Sequence, residues 1–234
     1  NYSLPKSKNM DLKSISSENL NKELAYLLGV YLTDGSISKQ ESFTFSLKAI
    51  DRDFVENTLR AYKAINPQCT ASVYEQAPRT RYWDDGRVSK TQIQYCINVG
   101  FAKYGARFKE WTGDKHHLPT IIWNAPLQVK RWFIAGIMDG DGWISKTPRP
   151  IPSKRSQYRL GIGGIKDGWV WEFEKLLQKM GVKTCKPEIC VDKRKTPFVR
   201  FSINNESFTS NGLFFTILRK QNRLLDYIKE RSET

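Results

Sequence analysis

Two nine-residue segments concentrate the residue types that could do chemistry: 27–35, LLGVYLTDG, and 134–142, IAGIMDGDG. Each ends in Asp-Gly, and the pairs Asp34-Gly35 and Asp141-Gly142 align without gaps 107 residues apart. Read as helices, both segments set small residues four apart, Gly29 with Thr33 and Gly136 with Gly140. That makes a flat stripe along which two helices can approach closely. Gly35 and Gly142 suit left-handed C-caps, which puts Asp34 and Asp141 in the last helical turn. A carboxylate there faces the negative end of the helix dipole, at a cost of about 0.3–1 kcal/mol. If the helices pack side by side, the two carboxylates meet and repel. A divalent cation with oxygen ligands resolves that repulsion. One Asp-Gly end is ordinary turn chemistry; two in register, each with its small-residue stripe, are not.

A repeat of this length indicates a duplicated domain, and the elements that position the aspartates repeat too. ESFTFSLKAI alternates, with Phe43, Phe45, Leu47 and Ala49 on one face and Thr44, Ser46 and Lys48 on the other, a half-buried strand. Asp51 or Asp53 can cap a helix to about Ala64, which Asn66-Pro67 ends. Strands at 70–76 and 92–99 and a helix over 102–111 complete the first copy. In the second, a strand spans 158–165. Asp167 precedes a helix, VWEFEKLLQKM, that Gly181 stops. Strands near 183–192 and 198–204 follow, then a helix from about Thr209 to Lys229. Each half reads αββαββα. Hairpin-joined strands imply antiparallel sheets, so the class is α+β. Residues 1–22 read as a polar arm, 23–117 as the N-terminal half, and 118–234 as the C-terminal half, with a linker and the second motif helix at its start. Segments 78–90 and 146–157 read as long basic loops.

The 234 residues include 38 Lys plus Arg against 24 Asp plus Glu, a net charge of +14. With 39% hydrophobic and 12% aromatic residues, the chain is too apolar to be disordered, so the charge rides on a folded body. Such a body seeks a polyanion, nucleic acid first. No apolar run reaches the ~18 residues that a membrane span requires, and neither a basic amphipathic helix nor a lipid anchor is evident. The polar start lacks a signal-peptide pattern, and an opening Asn suggests a trimmed chain or a piece of a longer product. The final RSET, in place of His-Asn, argues against intein origin. Cys69, Cys96, Cys185 and Cys190 form no CxxC pair, as in a reduced intracellular protein. His116 and His117 are adjacent and poorly placed to share a metal. Any chemistry therefore rests on carboxylates and amines.

Together, the two segments resemble the paired signature helices of the LAGLIDADG homing endonuclease family, in its single-chain, two-motif form. The likeness spans roughly residues 20–230. IAGIMDGDG is close to the consensus, while LLGVYLTDG departs at Leu32 and Thr33. The resemblance implies two pseudo-symmetric halves joined at the motif helices, each laying a curved antiparallel sheet in the DNA major groove. It also implies Mg²⁺ held by the motif aspartates, Asp34 and Asp141, with both strands cut across the minor groove to leave short 3′ overhangs. KHHLPTIIW is similar to the family's basic residue and Leu-Pro pair ahead of the second motif, which nominates Lys115 as catalytic. The second half has no such pair; Lys220 is its nominee. The physical case is independent: carboxylate-held metal activates water and stabilises the leaving oxygen, and a lysine offsets phosphate charge.

The strands offer a binding face: Thr44, Ser46 and Lys48; Ser72, Tyr74 and Gln76; Gln92, Gln94 and Asn98; Lys186 and Glu188; Arg200, Ser202 and Asn204. Such side chains read base edges in the major groove. Arg79, Arg81, Lys154, Arg155 and Arg159 join them as DNA-binding candidates, by base or phosphate contact. GIGGIKDG lacks the features of a phosphate loop and reads as strand then turn. The seven tryptophans read as core and helix-packing residues, with stacking on bases the alternative for Trp83 in its loop. The expected protein is a monomeric, Mg²⁺-dependent endonuclease for a long asymmetric DNA site. The rival readings are a maturase bound to intron RNA and a DNA-binding regulator that does not cut; retention of both aspartates favours cleavage.

Overall fold

A computed structural model describes residues 20–39, 42–147, 156–191 and 197–232. The N-terminal elements run α1 (Lys22–Leu32), β1 (Ser36–Lys39), β2 (Phe43–Ala49), α2 (Arg52–Ile65), β3 (Tyr74–Gln76), β4 (Thr80–Tyr82), β5 (Val88–Lys90), β6 (Gln94–Gly100) and α3 (Ala102–Thr112). A short α4 (Thr120–Trp123) leads into α5 (Leu127–Gly140), β7 (Gly142–Thr147), β8 (Gln157–Ile165), α6 (Val170–Lys179), β9 (Glu188–Val191), β10 (Pro197–Ile203), α7 (Asn205–Ser210) and α8 (Leu218–Ser232). Two antiparallel four-stranded sheets result, ordered β1-β2-β6-β3 and β7-β8-β10-β9. They correspond strand for strand, as the duplication requires.

Alternation decides what each sheet buries. On β2, Phe45 and Leu47 are buried, and their cross-strand partners on β6, Val99 and Ile97, are buried too. On the second sheet Leu160, Ile162, Val199, Phe201 and Ile203 play that part. These inner faces pack on helices in one continuous apolar core. Every residue of α1 from Leu24 to Leu32 is buried, as an all-apolar helix must be. Among the described residues, no helix is long and apolar enough to cross a membrane, and all four cysteines are free thiols.

Several elements differ from expectation. The 78–90 loop is a ribbon, β4 paired with β5. Gly86 at φ 79° closes its turn, a hairpin that Asp85-Gly86 already signals. The strand expected over 70–76 begins only at Tyr74, and the one over 92–99 only at Gln94. The strand near 183–192 shortens to β9, because Pro187 has no N–H to pair. The long final helix is two helices, broken where Gly212 adopts φ 66°. Asp51 makes no capping bond to α2. Its carboxylate instead pairs with the Arg219 guanidinium, and Asp53 accepts from the Leu218 N–H, so both hold the start of α8. Gly35 and Gly142 are not left-handed; the positive-φ glycines are Gly86, Gly113, Gly181 and Gly212. Close approach is what requires them. A Cβ at Gly35 would lie 2.9 Å from the Phe45 ring, and one at Gly142 would lie 2.5 Å from the Met138 carbonyl oxygen.

Candidate active site

The small-residue stripes let α1 and α5 touch backbone to backbone. A Cβ on Gly29 would lie 2.3 Å from the Phe133 carbonyl oxygen, and one on Gly136 the same distance from that of Tyr26. Gly140 faces Thr33, whose Oγ1 would be 2.1 Å from an added Cβ. Thr33 is the C-cap of α1 and Asp141 that of α5, so each aspartate sits where its helix hands over to a sheet's first strand. Asp34 Oδ2 would be 3.3 Å from a Cβ on Gly140, the neighbour of Asp141. The tight helix pairing thus brings the two carboxylates together.

Both carboxylates reach solvent, yet protein is dense on their inner side. That desolvation, and next the charge of Asp34, push Asp141 up to about 7; Lys115 and Lys220 pull the other way. Asp34 is also raised, first by desolvation, against the lowering pull of Lys220 and Lys115. A lysine flanks each helix end. Lys115 Nζ donates to the carbonyls of Thr33, at 2.9 Å, and Gly35. Lys220 Nζ donates to those of Met138, at 2.9 Å, Asp139 and Gly140. The carbonyls of Thr33, Met138, Asp139 and Gly140 stand at helix ends, where such groups lack helical partners and carry the negative dipole end, while that of Gly35 lies just beyond α1. Desolvation lowers both amines, Lys220 to about 8. The four groups form a charge-compensated cluster, open to solvent on one side.

Each lysine is held differently. Asp114 and Lys115 both adopt positive φ, 54° and 77°, and Tyr31 Oη donates to Asp114 at 2.9 Å. Lys220 lies at the start of α8, which buried Asp139 secures by accepting from the N–H groups of Thr216 (2.9 Å) and Ile217 (3.3 Å). Asp139 also accepts from Tyr26 Oη at 2.9 Å, tying α1 to α5. Sequence reasoning missed Asp139, although its place inside the second motif, where the first has Leu32, was a signal. Asp51 and Arg219 left no local trace.

The proposed binding residues divide. Ser46 faces Asn98 across β2 and β6, and Gln76 faces Gln94 across β3 and β6. Ser46, Lys48, Tyr74, Gln76 and Asn98 line one groove of about 370 Å³ with Asp34, and Asn98 Nδ2 donates to Tyr74 Oη at 2.7 Å. Thr44 shares that face of β2. Arg159, Arg200 and Ser202 take outward positions on β8 and β10, with Arg200 paired to Glu188 at 3.3 Å. Arg79 and Arg81 stand at the β4–β5 ribbon, where the Arg81 guanidinium stacks 3.9 Å from the Trp83 ring centre. Trp83 is 41% exposed and not core. Ser72, Gln92 and Lys186 are exposed but lie outside the strands. Asn204 is a structural cap, accepting from the Ser207 N–H at 2.8 Å. Lys154 and Arg155 lie outside the described residues.

The donor set suits a hard cation. Among the described residues no cluster of three or more His, Cys, Asp or Glu side chains forms. Two adjacent carboxylates, raised by their surroundings and open to solvent, nonetheless match the habit of Mg²⁺, which takes one or two carboxylates and completes its shell with water and phosphate oxygens.

No family model matches the chain. Among solved structures, the homing endonuclease I-WcaI bound to its DNA recognition sequence is similar at a TM-score of 0.55 and 16% identity, covering 95% of this chain and 94% of that one. The LAGLIDADG homing endonuclease I-SmaMI bound to cleaved DNA gives 0.52 and 13%, covering 92% and 90%. At these identities the likeness is one of fold. An uncharacterised protein of Methanocaldococcus jannaschii is 30% identical over 223 residues, 86% of this chain and 70% of that protein, which places the two in one family. The DNA gyrase A subunit of Mycobacterium kansasii is 28% identical over 127 residues, 53% of this chain. This chain spans about a fifth of the length of that subunit, of the DNA gyrase A subunit of Mycolicibacterium flavescens and of the DNA helicase Hel308 of Thermococcus kodakarensis.

Proposed function

The chain has the LAGLIDADG homing endonuclease fold, and from that premise we propose that it is a site-specific, divalent-metal-dependent DNA endonuclease. The observation that carries the reading is the pairing of Asp34 and Asp141 at the ends of two glycine-packed helices, with Lys115 and Lys220 beside them. Asp34 and Asp141 would hold the metal, Mg²⁺ on this reading. When bound it lowers the pKa of attacking water and stabilises the leaving oxygen. Lys115 and Lys220 balance charge building on the phosphate, and their bonds to the helix-end carbonyls fix where their ammonium groups stand. The close contact of α1 and α5 fixes the spacing between the carboxylates. With both aspartates in one chain, a monomer suffices to cut both strands, leaving short 3′ overhangs.

On this reading residues 23–117 and 118–234 each grip one half-site. The grooved face of the first sheet reads bases through Ser46, Lys48, Tyr74, Gln76, Gln94 and Asn98; Arg159, Arg200 and Ser202 do so on the second. The two faces differ at nearly every position, so the target is long and asymmetric. The test is cleavage of a randomised duplex library with Mg²⁺ and with EDTA. Recovery of one long site, cut only with metal, is expected. Sequence-selective binding with no cutting under any divalent metal would refute the nuclease reading.

A further inference from the structure

Resting on that reading, we infer that Trp143 is a specificity determinant that reads a thymine methyl group beside the cut in the C-terminal half-site. The repeat sets Trp143 where the first half has Ser36, each two residues beyond its aspartate. On the first sheet the row across the strands is Ser36, Ser46 and Asn98, wholly polar. On the second it is Trp143, Gly161 and Ser202. Ile144 and Leu160 next to this row are 2% and 1% exposed and point into the core. Alternation therefore puts Trp143 on the opposite, groove-facing side of β7, where it stays 36% exposed.

The sheet is built to receive this ring. A Cβ on Gly161 would lie 2.5 Å from Trp143 Cζ2 and 3.0 Å from Cε2. Only glycine lets the indole lie down over β8. Gly163, two residues on, leaves the next position of that face bare as well. The result is a flat apolar surface beside Asp141, flanked by the hydroxyls of Ser145 and Ser202. Base edges in the major groove offer one apolar group, the C5 methyl of thymine. An indole face fits that methyl and gains nothing from the polar edges of the other bases. The first half, with Ser36, has no such reader, so the preference is confined to one side of the cut.

The experiment selects cleavage sites from a randomised library with the wild-type chain and with Trp143→Ser, thermal melts confirming that both are folded. The wild type should favour thymine at one or two positions next to the cut in the C-terminal half-site. Trp143→Ser should lose that preference by about tenfold and keep the N-terminal half unchanged. Deoxyuridine at the same positions, which removes only the methyl, should weaken wild-type binding several-fold and leave Trp143→Ser unaffected. A Trp143→Ser profile identical to wild type, even with a lowered melting temperature, would show that the ring merely covers Gly161 and would overturn the inference. Failure of the wild type to select any site would instead sink the nuclease reading on which the inference rests.

Discussion

Changing Asp141 to Asn keeps the side-chain shape and removes one of two facing charges. Burial and Asp34 raise Asp141 from the ordinary 3.8 to about 7, so ionising it costs the folded state stability. Below about pH 4 the carboxyl is protonated in both folded and unfolded chains, and this cost is absent. It grows as pH rises from about 4 to about 7 and is complete above that. The shift would correspond to about 4 kcal/mol at 1.36 kcal/mol per unit in a dry site. The carboxylate reaches solvent, and screening reduces the figure to about 1 kcal/mol, or about 2–4 °C in Tm for a chain of this length. In EDTA, Asp141→Asn should therefore melt above wild type at pH 7.5 and level with it near pH 4, by scanning calorimetry. Mg²⁺ should raise the wild-type Tm and move the variant's less, since binding to the folded state alone stabilises it. Binding to the selected site, read by gel shift without metal, should hold or tighten. Linearisation of a supercoiled plasmid carrying that site should fall by orders of magnitude. A Tm gap independent of pH would refute the electrostatic argument, and full linearisation by the variant would refute the site. Loss of binding in step with cleavage would make Asp141 a structural clamp between the halves.

Gly136→Ala places a Cβ 2.3 Å from the Tyr26 carbonyl oxygen and 3.0 Å from the Val30 nitrogen. Backbone atoms cannot turn aside, so urea unfolding should show a loss of at least about 1–3 kcal/mol. Asp139→Ala strands the buried hydrogen-bond donors of Tyr26, Thr216 and Ile217; at about 1–3 kcal/mol for a stranded group, the same assay should record a loss of about 3 kcal/mol. Gln94→Ala should relax preference at one or two neighbouring positions on one side of the target, by about 1–3 kcal/mol for a bidentate contact, whereas a uniform loss would assign Gln94 to the backbone. Residues 118–234 carry a net charge of +10 against +4 for residues 1–117. Scrambling the C-terminal half-site should therefore weaken binding more than scrambling the other, and log affinity should fall with log salt by about 0.9 per phosphate contact; equal losses would exclude the asymmetry.

The sequence by itself determined whatever depends on local period and on repetition. The gapless recurrence of the motif announced two like halves. Small residues four apart, Gly29 with Thr33 and Gly136 with Gly140, announced a close helix pair, and the alternation over 43–49 announced which face of β2 is outward. These features are written in single segments, because burial on one side of a helix or strand selects residue type at fixed spacing. Tertiary structure decided whatever depends on a partner distant in the chain. Gly35 and Gly142 looked like left-handed caps, yet Phe45 and Met138 crowd them. Asp51 and Asp53 looked like caps of their own helix, yet Arg219 and Leu218 take their carboxylates. Asn204 continued a strand's pattern, yet its side chain caps α7. Lys220 could be nominated but not placed, since nothing near it in sequence shows that α8 begins beside the end of α5. A carboxylate or amine on a short stretch of chain can serve several partners equally well. Which one it serves is settled only when packing brings one within hydrogen-bond reach and excludes water from the rest.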